Sequence, residues 1–120
     1  MTNFKQLKIW VKRLDIAVNT FKFAQTLPDK ERYGLSQQMT KAAFSISSNI
    51  AEGSSRVSPK DQRRFIEIAL GSSFELETQL LISEAVNYGD QEIKNLLLND
   101  IDQEQKMLIS FMSKLNNELI

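Results

Sequence analysis

Residues that break helices are scarce in this chain and fall at few places. Only four of its 120 residues are Gly and two are Pro. Apart from Gly71, all of them lie in three short stretches: Pro28 to Gly34, Gly53 to Pro59, and Gly89-Asp90. A chain punctuated so rarely has room only for a few long elements. The four segments between the breaks all carry apolar residues at helical spacing, and none alternates with the period of a strand. The expected fold is all-α, an antiparallel up-down-up-down four-helix bundle forming a single domain over residues 1–120.

In the first segment Leu7, Trp10, Leu14, Ala17, Phe21 and Ala24 repeat at steps of three and four, which predicts an apolar seam of heptad type. Pro28 disfavours helical geometry at Leu27 and ends the helix near there. In the second, Leu35, Met39, Ala42, Ile46 and Ile50 form the seam, with Ser36 as expected N-cap and Gly53 as expected stop. The third has the clearest start: Ser58 at the N-cap, Pro59 in the first helical position and Asp61 facing the dipole. It runs to Tyr88, closed by Gly89, and Asp90 caps the fourth. There Ile93, Leu97, Ile101, Glu104, Leu108, Phe111 and Leu115 form the seam, with Glu104 expected near its edge. A hairpin of helices two and three about residues 54–58 would set Ala43 against Gly71, Ile46 against Ile68, and Ile50 against Arg64 or Phe65. Gly71 would then permit a close crossing; the alternative is a glycine merely tolerated.

Helices three and four are apolar on more than one side. Phe65, Ala69, Leu76 and Leu80 mark one side of helix three, and Ile66, Leu70, Phe74 and Leu81 another; Leu96, Leu98, Ile109 and Met112 are surplus on helix four. One bundle interior absorbs a single stripe of roughly 100°. The second stripe predicts self-association.

Formal charge sums to zero, yet residues 1–57 carry +5 and residues 58–120 carry −5. Basic helices can neutralise acidic ones within the bundle; the same polarity could oppose copies head to tail or present a basic side to nucleic acid. The densest basic cluster is Arg56, Lys60, Arg63 and Arg64, where arginines and helix N-terminal amides can receive a phosphate. The competing reading is a solvated face that pairs with Glu52 or Glu67. Phe65 is expected on the apolar side, leaving the cluster without an aromatic platform.

The chain has no His and no Cys, which removes the commonest general base, thiolate chemistry, zinc-thiolate sites and disulfides. Glu75 and Glu77 point to different helix faces, and Glu52 sits at a helix end. Neither a phosphate-binding glycine loop nor a serine nucleophile motif is present. The expectation is a protein that is not an enzyme, with no metal and no cofactor. No stretch approaches a membrane span, and Met1 to Lys5 lacks the apolar run of a signal peptide, so a cytoplasmic protein is expected.

The stretch Ser45-Ile46-Ser47-Ser48-Asn49-Ile50-Ala51-Glu52-Gly53, then Arg63-Arg64-Phe65, Ala69-Leu70-Gly71-Ser72 and Glu75-Leu76-Glu77-Thr78-Gln79-Leu80, resembles one family closely. It is similar to the four-helix-bundle proteins encoded in intervening sequences of bacterial 23S ribosomal RNA genes, often called ribosomal protein-like. The similarity extends over nearly the whole chain and gives Asn49, Glu52, Gly53, Gly71, Glu75 and Glu77 structural roles. Where such proteins usually have Pro this chain has Ser47, which implies a straighter second helix. The resemblance implies a homopentamer and kinship with accessory proteins of diversity-generating retroelements, basic pentamers that bind nucleic acid and a reverse transcriptase. RNA or DNA is thereby an implied partner, although this chain is neutral overall.

Overall fold

The structure, a computed structural model, describes residues 4–118. Four helices account for nearly all of them: α1 (Phe4–Ala24), α2 (Leu35–Ser55), α3 (Pro59–Ala85) and α4 (Gln91–Glu118). A single 3₁₀ turn, Asp29–Glu31, lies between α1 and α2. Each helix packs on its neighbours in sequence, and α1 closes the bundle on α4. α1 and α3 therefore occupy diagonal corners of a rod 49 × 23 × 19 Å. This is the expected all-α bundle.

The helix ends follow local chemistry, with three departures. Ser58 Oγ accepts the Asp61 amide at 3.4 Å and Pro59 fills the first turn, as its missing N–H allows. Asp90 Oδ1 accepts the Ile93 amide at 2.9 Å and caps α4. Ser36, expected to cap α2, instead donates to the Ala24 carbonyl at 3.3 Å. Gly34 holds the N-cap position, and the Leu35 amide reaches the Glu31 carboxylate, which the 3₁₀ turn delivers. Gly53 does not stop α2, which continues through it to Ser55. α3 ends at Ala85, three residues before Tyr88: Asn87 takes the left-handed conformation at φ 59° and the Tyr88 amide bonds back to the Ser83 carbonyl. At Gly89, φ 85°, a Cβ would strike the Phe23 ring, so only glycine lets this turn sit on the end of α1.

The core contains Ile9, Ile16 and Phe23 of α1, Met39, Ala42, Ile46 and Ile50 of α2, Ile66, Ala69, Leu76 and Leu80 of α3, and Leu97, Ile101 and Leu108 of α4. α2 and α4 thus bury the expected seams. α1 does not. Leu7, Leu14 and Phe21 face outward, and Ile9, Ile16 and Phe23 face inward. The two stripes are offset by two residues, about 200° around a helix of 3.6 residues per turn. Both have helical period, and the stripe of Ile9, Ile16 and Phe23 is the one buried.

The α2–α3 register also differs from expectation, by one turn. Ser45 Oγ lies 2.7 Å from Ser72 Oγ, and Gly53 packs on Phe65 and Ile66. The hairpin pivots later because α2 runs past Gly53. Ala43 does not meet Gly71: a Cβ on Gly71 would have nothing within 4 Å, and Ile68 is half exposed rather than set against Ile46. The close approach belongs to Gly53 instead, where a Cβ would lie 3.3 Å from Phe65 Cβ and 3.4 Å from the Gln62 carbonyl.

Candidate functional site

The basic cluster forms at one end of the α2–α3 hairpin. Ser58 starts α3, and Gln62 Nε2 donates to the Arg56 carbonyl at 2.7 Å, fixing the loop over the first turn. Arg56 pairs with Glu52 at 2.8 Å, and Arg63 lies 3.9 Å from Glu67. Both pairs are four residues apart, Arg63 and Glu67 along α3 and Glu52 with Arg56 just past the end of α2, the ordinary arrangement of solvated charges. Lys60 and Arg64 make no ion pair among the described residues. The expected absence of an aromatic is corrected: the guanidinium carbons of Arg56 and Arg64 each lie 4.9 Å from the centroid of the half-buried Phe65 ring. Phe65 packs on Gly53 through its Cβ while its ring receives both cations, so it joins the α2–α3 seam to the cluster. Helical spacing gave its angular position and could not give its neighbour from the loop.

The other singled-out residues divide by location. Asn49 Nδ2 donates to the Ser45 carbonyl at 2.8 Å and to Ser45 Oγ at 3.2 Å, and Ser45 continues the chain of polar contacts to Ser72. Asn49 and Gly53 therefore organise the α2–α3 seam, and Glu52 holds Arg56. Glu75 is exposed, Glu77 is half-buried, and neither makes an ion pair among the described residues. Gly71 is exposed on the outer side of α3.

A polar centre lies elsewhere, in a place the seam pattern hid. Glu104 is not at the edge of the α4 seam: it is 0% exposed and neither carboxylate oxygen has a hydrogen-bond partner among the described residues. Burial pushes its carboxyl up to about 8 from the ordinary 4.5, with Lys12 and Arg13 pulling downward and Asp100 adding to the rise. Lys12 Nζ is held by Asp100 at 3.1 Å, while Arg13 donates to Ser47 Oγ of α2 at 2.8 Å. Both cations are thus directed to other partners, and Glu104 is a neutral acid near pH 7. A carboxyl raised toward neutrality is a familiar catalytic signature, but this one presents no surface to a substrate. The lone acid in an apolar seam was the only sequence signal for it.

Outside the core, apolar side chains gather on the outer faces. Leu7, Val11, Leu14, Val18 and Phe21 of α1 are 41–53% exposed, and Phe21 meets Phe44 of α2 edge-on at 5.1 Å. Leu7, Val11 and Met107 floor a groove of about 630 Å³ between α1 and α4, edged by Lys8, Lys12 and Lys106. Phe74 and Leu81 of α3 and Leu96 and Ile109 of α4 are half exposed as the surplus predicts, whereas Leu98 and Met112 are partly packed on the core.

Comparison with known proteins places this architecture. No curated protein is significantly similar to the chain. A solved structure from Bacteroides thetaiotaomicron, of a protein with unknown function from the S23 ribosomal protein family, superposes with a TM-score of 0.83. Its sequence is 26% identical, over 92% of this chain and 99% of that one. The family model for the 23S rRNA-intervening sequence protein matches residues 5–110. With that match over most of its length and the four-helix architecture in agreement, the chain belongs to the 23S rRNA-intervening sequence protein family.

Proposed function

We propose that the protein is a non-enzymatic scaffold that works as a homo-oligomer. The observation that carries this is the outer stripe of α1, five large apolar side chains at heptad spacing on the side away from the core. Monomers in water rarely leave contiguous apolar patches beyond a few hundred Å² uncovered, and burying such a patch between subunits stabilises by about 25 cal/mol per Å² before association costs. The chain has neither His nor Cys, and its one strongly shifted carboxyl, Glu104, is sealed in the interior. Both facts favour assembly over chemistry as the task. The family resemblance sets five as the subunit number to test and the bacterial cytoplasm as the compartment. Light scattering at micromolar concentration is expected to give a multiple of the 13.8 kDa chain mass, reduced toward one chain by Leu14→Glu. A wild-type mass of one chain overturns the proposal, and a dimer overturns the pentamer.

A second reading, a nucleic-acid-binding accessory factor, draws support from one observation: Lys60 and Arg64 are without ion pairs beside an aromatic ring that already attracts guanidinium groups. In that case replacing Arg63 and Arg64 by Ala weakens RNA binding alike across sequences. The slope of log affinity against log salt flattens by roughly one per lost phosphate contact. Absence of RNA retention by the wild-type protein at low ionic strength eliminates this reading.

A further inference from the structure

The outer faces of α1 and α3 differ in shape and charge, and they look away from each other because the two helices hold diagonal corners. α1 offers a ridge: Leu7, Val11, Leu14, Val18 and Phe21 in line along the helix, flanked by Lys8 and Lys22 against the single acid Asp15, while Lys12 turns inward to Asp100. α3 offers a notch. Phe74 and Leu81 lie to one side of its outer face and Ile68 and Ile82 to the other, all 46–51% exposed, with Gly71 between them. The surrounding charges are Glu75 and Glu84, both exposed, together with Glu67, which lies 3.9 Å from Arg63, and no Lys or Arg occurs from Phe65 to Ile93.

Gly71 is the second, independent observation. A glycine inside a helix costs stability relative to alanine, and a close approach within the protomer would account for it. Here nothing within the protomer comes within 4 Å of where its Cβ would stand. The glycine keeps the centre of an apolar outer face low, where another helix can come near.

We propose that the α1 ridge of one copy docks on the α3 face of a second copy, across Gly71. This rests on the self-association proposed above and adds which surfaces mate. A lysine-edged ridge against a glutamate-edged notch attracts, whereas α1 on α1 or α3 on α3 would bring like charges together. The contact is heterologous, so every copy retains a free ridge or notch for the next until the assembly closes on itself.

Two variants, each damaging one surface, test the pairing. Leu14→Glu spoils the ridge and keeps the notch. Gly71→Leu fills the notch and keeps the ridge, and its added side chain enters open space, so the fold persists, as circular dichroism will verify. Each alone is expected to raise the concentration for half-association at least tenfold. Mixed in equal amounts they retain one intact ridge and one intact notch, and light scattering is expected to find a one-to-one heterodimer of about two chain masses. Leu81→Lys in place of Gly71→Leu repeats the test with a half-exposed residue. A notch variant that assembles like the wild type, or a mixture that stays monomeric, overturns the pairing while leaving self-association standing. A monomeric wild type overturns the self-association beneath it.

Discussion

Across the α2–α3 seam the side chains are small and neutral. Ser45 and Ser72 share a hydrogen bond of 2.7 Å, Asn49 ties into it, and Gly53 admits Phe65 and the Gln62 carbonyl to within ordinary contact of the α2 backbone. Across the α1–α4 seam they are long and ionisable: Lys12 reaches Asp100, and Glu104 is enclosed with no hydrogen-bond partner among the described residues. The first pair of helices is the most extensively packed in the bundle and the second is the least so among adjacent pairs. Small residues let two backbones approach and leave few polar atoms to satisfy. Long charged ones hold the helices apart, and a buried carboxyl left without donors costs stability unless it takes up a proton. The same architecture thus contains one seam indifferent to pH and one that responds to it.

The largest expected effect lies in the ionisable seam. Unfolded, Glu104 releases its proton near the ordinary 4.5; folded, it holds the proton to about 8. Between those values unfolding releases a proton, so the stability that the neutral acid permits is complete below pH 4.5 and is lost as pH rises to about 8. Glu104→Gln keeps the shape and cannot ionise. Its advantage over the wild type, measured by urea midpoints, is expected to be near zero at pH 4.5 and on the order of 4 kcal/mol at pH 8. An equal difference at both pH values would show that Glu104 ionises in the folded protein as easily as in water, and the contrast between seams would vanish.

A smaller effect is expected in the neutral seam. Gly53→Leu drives a side chain into Phe65 and Ile66 and is expected to lower stability by about 1–3 kcal/mol, with no dependence on pH over the same range. Thermal melts at pH 5 and pH 8 check both the size and the invariance. A pH-dependent loss would mean that the two seams are coupled through the core.

The helices themselves were legible because their stop and start signals are local. Ser58, Pro59 and Asp90 act on amides within three residues, and nothing distant alters them. What sits opposite what was less legible. α1 carries two stripes of equal period, and periodicity alone cannot choose between Leu7, Leu14, Phe21 and Ile9, Ile16, Phe23; packing of the whole bundle chooses. The hairpin register depended on where α2 ends, and the continuation through Gly53 shifted it by one turn, moving Gly71 from the interior to the surface. The basic cluster was visible as a run of residue types. Its arrangement around Phe65 was not, since Arg56 arrives from the loop and Arg64 from the helix.

The chain's single tryptophan acquires a use from its place on α1. The Arg13 guanidinium carbon lies 3.7 Å from the centroid of the Trp10 ring, and the same guanidinium is anchored to Ser47 on α2. The indole is therefore clamped at the α1–α2 junction, beside the apolar ridge and one turn from Leu14. Emission from an indole shifts to shorter wavelength as water leaves its surroundings and to longer wavelength as water enters them. One fluorophore thus reports two events from one position: separation of α1 from α2, and the arrival of another surface over α1. The protein carries its own optical gauge of opening and of the proposed assembly, with no label attached.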